Sequence, residues 1–199
     1  MQFLPAAGLA LSLFAAAPAM AAPLVIDFET APSYSSIGDH YADKGVSFGG
    51  DALGLQNDEL GPYFSNAPSA NGVMFAFGTD ATMNVTGGFM DTVSFWYSST
   101  AAALGGVSIW SGLNGTGTLL ASFDLLGNAQ NGCSDTAWCH FDQLSADFAG
   151  VAYSMTFNGD PTIAFDNIAL GSNAVPEPAS MLLVSLGLAG LAASKRRRK

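Results

Sequence analysis

The chain has 199 residues, with 16 Asp and Glu against 6 Lys and Arg, a formal net charge of −10, and 5 of the 6 cations in its last 5 positions. Residues 22–174 therefore hold 15 acids against Lys44 alone, a surface that repels phosphate backbones and excludes nucleic-acid binding. Cations, neutral sugars or a basic partner would suit it, and so would a purely solubilising role. That middle segment suffices for one domain with a core, and the 23 Gly, 11% aromatic and 11% charged residues of the whole chain give a loop-rich β profile.

Residues 1–21 read as a signal peptide. Leu9–Ala17 is an apolar stretch, small residues follow it, and Ala19-Met20-Ala21 fits the A-x-A cleavage pattern. The pattern departs from the usual one in having no Lys or Arg ahead of the apolar stretch, only the α-amino group. The mature chain is expected to start near Ala22.

From residue 22 to 174, short apolar-alternating runs are divided by Gly, Asn, Asp and Ser. They are residues 24–29, 45–50, 73–77, 81–86, 91–99, 106–110, 118–125, 139–145, 151–158 and 162–170. In VAYSMTFN, Val151, Tyr153, Met155 and Phe157 are expected on one face and Ala152, Ser154 and Thr156 on the other. Eight to ten strands at this spacing, with no helix-period segment, predict an all-β antiparallel sandwich of jelly-roll type.

Few residues in this segment carry chemistry. Cys133 and Cys139 are the two cysteines, and an even count in an exported chain predicts a disulfide closing a short loop. Their C-x5-C spacing is poor for zinc, although His140 lies beside Cys139. His40 and His140 are the two imidazoles. There is no H-E-x-x-H pair, and the many carboxylates single out no acid–base pair. No catalytic residue is assigned. Trp96, Trp110 and Trp138, with Tyr97, form a sugar-stacking platform if exposed and core if buried.

The chain ends VPEPASMLLVSLGLAGLAASKRRRK, residues 175–199. Pro178 suits the first turn of a helix. An apolar helix over about 179–194 follows, spanning roughly 22 Å against a hydrocarbon core of ~30 Å. The basic cluster Lys195, Arg196, Arg197, Arg198 and Lys199 is expected to stay cytoplasmic, placing the domain on the opposite side.

A VPEP motif, a short Gly/Ala/Leu-rich helix and a terminal basic cluster, in that order, resemble the PEP-CTERM sorting signal of exported bacterial proteins. The resemblance implies Pro176, Glu177 and Pro178 as the recognition triplet and the basic cluster as the stop. It also implies processing by an exosortase, a membrane transpeptidase-like cysteine enzyme. The chain then divides into a signal peptide (1–21), a β-sandwich ectodomain (22–174) and a sorting and anchor segment (175–199).

A second resemblance rests on IDFET…IGDHYADKGVSFGG and the closing FDNIAL. These are similar to galactose-binding-like and carbohydrate-module jelly rolls, in which first and last strands pair and an acid from each binds a structural calcium. Carried over, this implies Asp27 or Glu29 together with Asp166, with Asn167 ranking below them, as ligands of Ca²⁺. The chain has no D-x-D-x-D-G loop, and solvated strand-end acids are the alternative.

The expected function is an exported, surface-sorted, non-catalytic protein. It is anchored through its C-terminal helix, lies at the cell surface and is associated with extracellular matrix or exopolysaccharide. A carbohydrate-binding module is the alternative, and a glycan-acting hydrolase ranks third.

Overall fold

A computed structural model describes residues 23–158 and 163–171. The signal peptide, the apolar helix, the Pro-Glu-Pro triplet and the basic cluster lie outside the described residues. Among the described residues, no helix is long and apolar enough to cross a membrane.

Nine strands form the fold: β1 (Leu24–Ile26), β2 (Val46–Phe48), β3 (Ala52–Gln56), β4 (Gly72–Ala76), β5 (Thr82–Ser99), β6 (Ala103–Trp110), β7 (Leu119–Leu125), β8 (Asp142–Phe157) and β9 (Ile163–Leu170), with one 3-10 turn at Ala42–Lys44. Their order is β3-β4-β9-β5-β8-β6-β7, with β1 beside β9 and β2 beside β5, and every pairing is antiparallel.

The sheet folds over itself. Phe95 on β5 meets Phe123 on β7 edge to face, ring centroids 5.0 Å apart, although β8 and β6 separate those strands in the hydrogen-bonded order. Only a sheet bent into two facing layers brings them together. The enclosed core holds Phe28, Phe48, Met83, Phe89, Phe95, Ile109, Met155, Phe157 and Phe165. Edge-to-face rings stabilise it beyond their area alone.

Two long strands make the bend. One edge of β5 pairs with β8 along its length, while the other pairs first with β2 and then with β9. Here the expected strand runs are corrected. Residues 82–86 and 91–99 lie in one strand, and so do 142–145 and 151–157. The Gly87-Gly88 divider lies in a bulge inside β5, where the register with β8 slips between Asn84 and Phe89. Gly88 takes φ 67° there, a left-handed conformation open to glycine at little cost.

The bulge also breaks the alternation expected of residues 151–158. Ala152 and Ser154 are buried, and so are Met155 and Phe157, while Val151 and Tyr153 are half-buried. A register slip of one residue moves the core set to the other face. Strand β3 was absent from the expected runs. Its ALGLQ sequence has no β-branched residue, and the ladder to β4, Ala52↔Ala76 through Gln56↔Gly72, makes it a strand.

The first and last strands pair, Leu24↔Leu170, Val25↔Ala169 and Ile26↔Ile168. Strand β4 takes up the same edge of β9 at Ala164 and Phe165. Asp166 and Asn167 lie at the joint between β1 and β4.

Candidate functional site

Three features place chemistry-bearing side chains together. The first is the joint on β9. Asp166 is completely buried, and its carboxylate clasps Ser69. The Ser69 backbone N–H donates to Oδ2 at 2.9 Å, and the Asn167 N–H donates to Oδ1 at 2.7 Å. The Ser69 Oγ lies 2.7 Å from Asp166 Oδ1 and 2.8 Å from the Asp27 carbonyl, so one proton serves both. Glu29, just beyond β1, takes the other end of the same turn. It accepts from Asn71 N–H at 2.7 Å, the Asn71 amide at 2.7 Å and Gly72 N–H at 3.0 Å.

The resemblance implied Asp27 or Glu29 together with Asp166 as ligands of one cation. The structure brings them to one end of the β1–β9 seam, with Glu29 and Asp166 holding the Ser69–Gly72 turn between them. Burial pushes the Asp166 carboxyl up to about 7, with the charge of Glu29 adding to it against the Ser69 and Asn167 donors. Burial also raises Glu29, but the donors of Asn71, Gly72 and Ser69 bring it below the usual carboxylate range. The buried Tyr41 hydroxyl has no hydrogen bond among the described residues. Burial and the charge of Asp27 push it up to about 12. Three carboxylates and the Asp27 carbonyl are oxygen donors of the kind calcium takes, while N–H groups hold several of their lone pairs. Among the described residues, the trio of potential ligands within 4.8 Å of one another is Cys133, Asp135 and Cys139, and both of those sulfurs are in a disulfide.

The second feature is an aromatic face. Leu55, Phe64, Val73, Phe141 and Ala164 form a second buried cluster, on which Tyr63, Phe75, Trp96 and Trp138 pack half-buried. Tyr34 stands against Tyr63, and Phe77 against Phe75, both edge to face and 56% and 60% exposed. Of the expected platform, Trp96 and Trp138 thus share one face. Trp110 does not: it lies on β6 opposite Ser154, its indole N–H donating to Thr156 Oγ1 at 3.0 Å. The exposed rings of this face, Tyr34 and Phe77, were not among the expected residues, because exposure is a tertiary property.

The third feature is a loop stapled by the Cys133–Cys139 disulfide, as expected, with Cα atoms 6.0 Å apart. The loop packs on the end of β5. Asn128 and Ala129 N–H donate to the Ser99 carbonyl at 2.8 and 2.9 Å, and Ser99 N–H donates to Asn128 Oδ1 at 2.7 Å. The Asn128 amide donates to the Tyr97 carbonyl at 3.1 Å and to Asp142 Oδ2 at 2.9 Å. His140 Nε2 lies 3.1 Å from Asp142 Oδ1. The Asn128 bond, followed by that of His140, outweighs burial and holds the Asp142 carboxyl below the usual range. Between this loop and Ser99–Thr100 lies a cleft of about 380 Å³. The other histidine, His40, sits 3.0 Å from the Thr30 hydroxyl and packs on Tyr41, so the two imidazoles are not brought together.

Residues 174–198 match the family model of the PEP-CTERM protein-sorting motif, which includes Pro176, Glu177, Pro178 and the cations from Lys195 to Arg198. No curated protein sequence matches the chain. Among solved structures, the fold is similar to a family 6 carbohydrate-binding module, with 14% identity, a TM-score of 0.45, and 76% of this chain and 95% of that one covered. It is also similar to a carbohydrate-binding module of Clostridium stercorarium in complex with cellobiose (14%, 0.43, 75% and 94%). A third is the K1 cleaved adhesin domain of Lys-gingipain from Porphyromonas gingivalis W83 (16%, 0.42, 77% and 99%). The chain is thus an all-β antiparallel domain followed by a PEP-CTERM protein-sorting motif.

Proposed function

We propose that this is an exported, surface-sorted, non-catalytic protein whose β domain is delivered through its C-terminal signal and processed by an exosortase-type enzyme. The match of residues 174–198 to the sorting motif carries this reading. The signal peptide at residues 1–21, the apolar segment at about 179–194 and the cations at 195–199 supply the export and anchoring it needs. In the native host, removal of residues 175–199 is expected to release the protein from the cell surface into the medium, read by fractionation. Unchanged surface retention of the truncated chain would overturn the sorting role.

A second reading is that the delivered domain binds extracellular polysaccharide. Its support is the uncharged cleft beside the disulfide. A structural Ca²⁺ held by Asp27, Glu29 and Asp166 belongs to this proposal. A cation there would relieve the burial of Asp166 beside Glu29.

A further inference from the structure

The cleft between the Ser99–Thr100 end of β5 and the stapled loop has three properties that together make it a site. Its volume, about 380 Å³, falls within the range of small-molecule sites, about 300–1,000 Å³. It is lined by Ser99, Thr100, Asn128, Gln130 and Asn131 and by small residues such as Ala137, with no carboxylate, ammonium or imidazole. In a domain with 15 acids and one base, an uncharged concavity made of amides and hydroxyls is a specific chemical environment. Such groups both donate and accept, which matches a ligand made of neutral hydroxyls. The surrounding acids disfavour an anion.

The wall is also held before any ligand arrives. Asn128 uses its amide on Ser99, Tyr97 and Asp142, all within the fold. The Ala129 carbonyl accepts Cys139 N–H at 2.9 Å and His140 N–H at 3.0 Å, tying both arms of the loop together beside the disulfide. The side chains of Thr100, Gln130 and Asn131 are exposed, and among the described residues none of them is used in a hydrogen bond within the fold. A rigid wall carrying free polar groups lowers the ordering cost of binding.

The position of the cleft follows from the topology. On the β5–β9 ladder, Leu170 pairs with Val93 and Ile163 with Ser99. The chain therefore leaves the domain at one end of this ladder and the cleft opens at the other, about 23 Å away at 3.3 Å per residue. Pro176 follows Leu170 by six residues, a reach of at most roughly 20 Å. While the proposed C-terminal segment anchors the chain, the end carrying Leu170 is kept near the membrane, and the cleft points outward.

We infer that this cleft is the binding site of the domain for a neutral saccharide, presented away from the membrane. The inference rests on the polysaccharide-binding reading above. The full-length chain in detergent is tested against an array of neutral and acidic oligosaccharides, followed by calorimetric titration with the strongest binder. A neutral oligosaccharide is expected to bind. Gln130→Ala with Asn131→Ala, both at exposed positions, should weaken it roughly tenfold or more without moving the melting temperature. Tyr34→Ala with Phe77→Ala should leave the affinity within roughly twofold. Neutral-glycan binding that survives the amide variant but is lost in the aromatic one overturns the cleft and leaves the polysaccharide reading standing. Binding of acidic glycans alone overturns the neutral specificity. No glycan binding by the wild-type chain overturns both, while the sorting role is judged separately by fractionation.

Discussion

Ser69 and Asp166 are 97 residues apart, yet the Ser69 N–H and hydroxyl both reach the Asp166 carboxylate, at 2.9 and 2.7 Å. With Glu29 holding Asn71 and Gly72, this contact closes the seam where β1, β4 and β9 meet. It also sets a dependence on pH. The folded Asp166 carboxyl, raised to about 7 from 3.8, holds its proton more tightly than the unfolded one, so protons favour the fold. Its contribution is full below about pH 3.8, declines as pH rises, and is gone above about pH 7, a loss on the order of a few kcal/mol. In calcium-free buffer, thermal melts of Asp166→Asn should lack this decline. An equal slope in both proteins would remove Asp166 as its source. Glu29, lowered instead, acts with the opposite sign and below about pH 4.5.

Gly72 begins β4 against the backbone of Phe28, just beyond β1. A Cβ at this position would lie 2.1 Å from the Phe28 carbonyl oxygen and 2.6 Å from its carbon. Neither atom can rotate away, and Gly72 N–H is bonded to Glu29. Gly72→Ala is therefore expected to cost about 3 kcal/mol, seen as a lower urea midpoint. A change below about 0.5 kcal/mol, the scale of ordinary surface substitutions, would show that the seam has slack.

The Cys133–Cys139 disulfide closes a loop with a sequence separation of 6. Chain-entropy reasoning gives a loop of that size about 2 kcal/mol. Changing both cysteines to alanine should lower the unfolding free energy by that amount, read from urea melts at an unchanged slope, since the surrounding hydrogen bonds of Asn128 and Ala129 remain. Loss of cooperative unfolding would mean that the staple holds more than its own loop.

If calcium occupies the seam, it binds the folded chain alone and raises its melting temperature. At a hundred times its dissociation constant the gain is about 2.7 kcal/mol, or roughly 5–10 °C for a domain of this size. A chelator should reverse the shift and Glu29→Gln should diminish it. Equal melting in calcium and in chelator would mean that the N–H donors of Ser69, Asn71 and Gly72 do this work unaided.

Local chemistry was enough to read much of this protein from its sequence. The PEP-CTERM signal is legible because its triplet, apolar stretch and cations are contiguous and act as a linear segment. The all-β class follows from a two-residue period, and the disulfide from two cysteines in a short loop. Tertiary structure alone decided the rest, because each remaining feature joins residues distant in the chain. No local signal separates the bulge at Gly88 from a turn; pairing with β8 on both sides of it does. ALGLQ is a strand only because β4 lies beside it. The Ser-Ala-Asn-Gly stretch at residues 69–72 consists largely of the dividing residue types, but its capture by Glu29 and Asp166 required the first and last strands to meet. The three tryptophans were equivalent in sequence, and the folding of the sheet placed Trp96 and Trp138 on one face and Trp110 on β6. The cleft carries no motif at all. It exists because Asn128 is buried against Ser99 and Asp142, a long-range packing result that spacing along the chain does not encode.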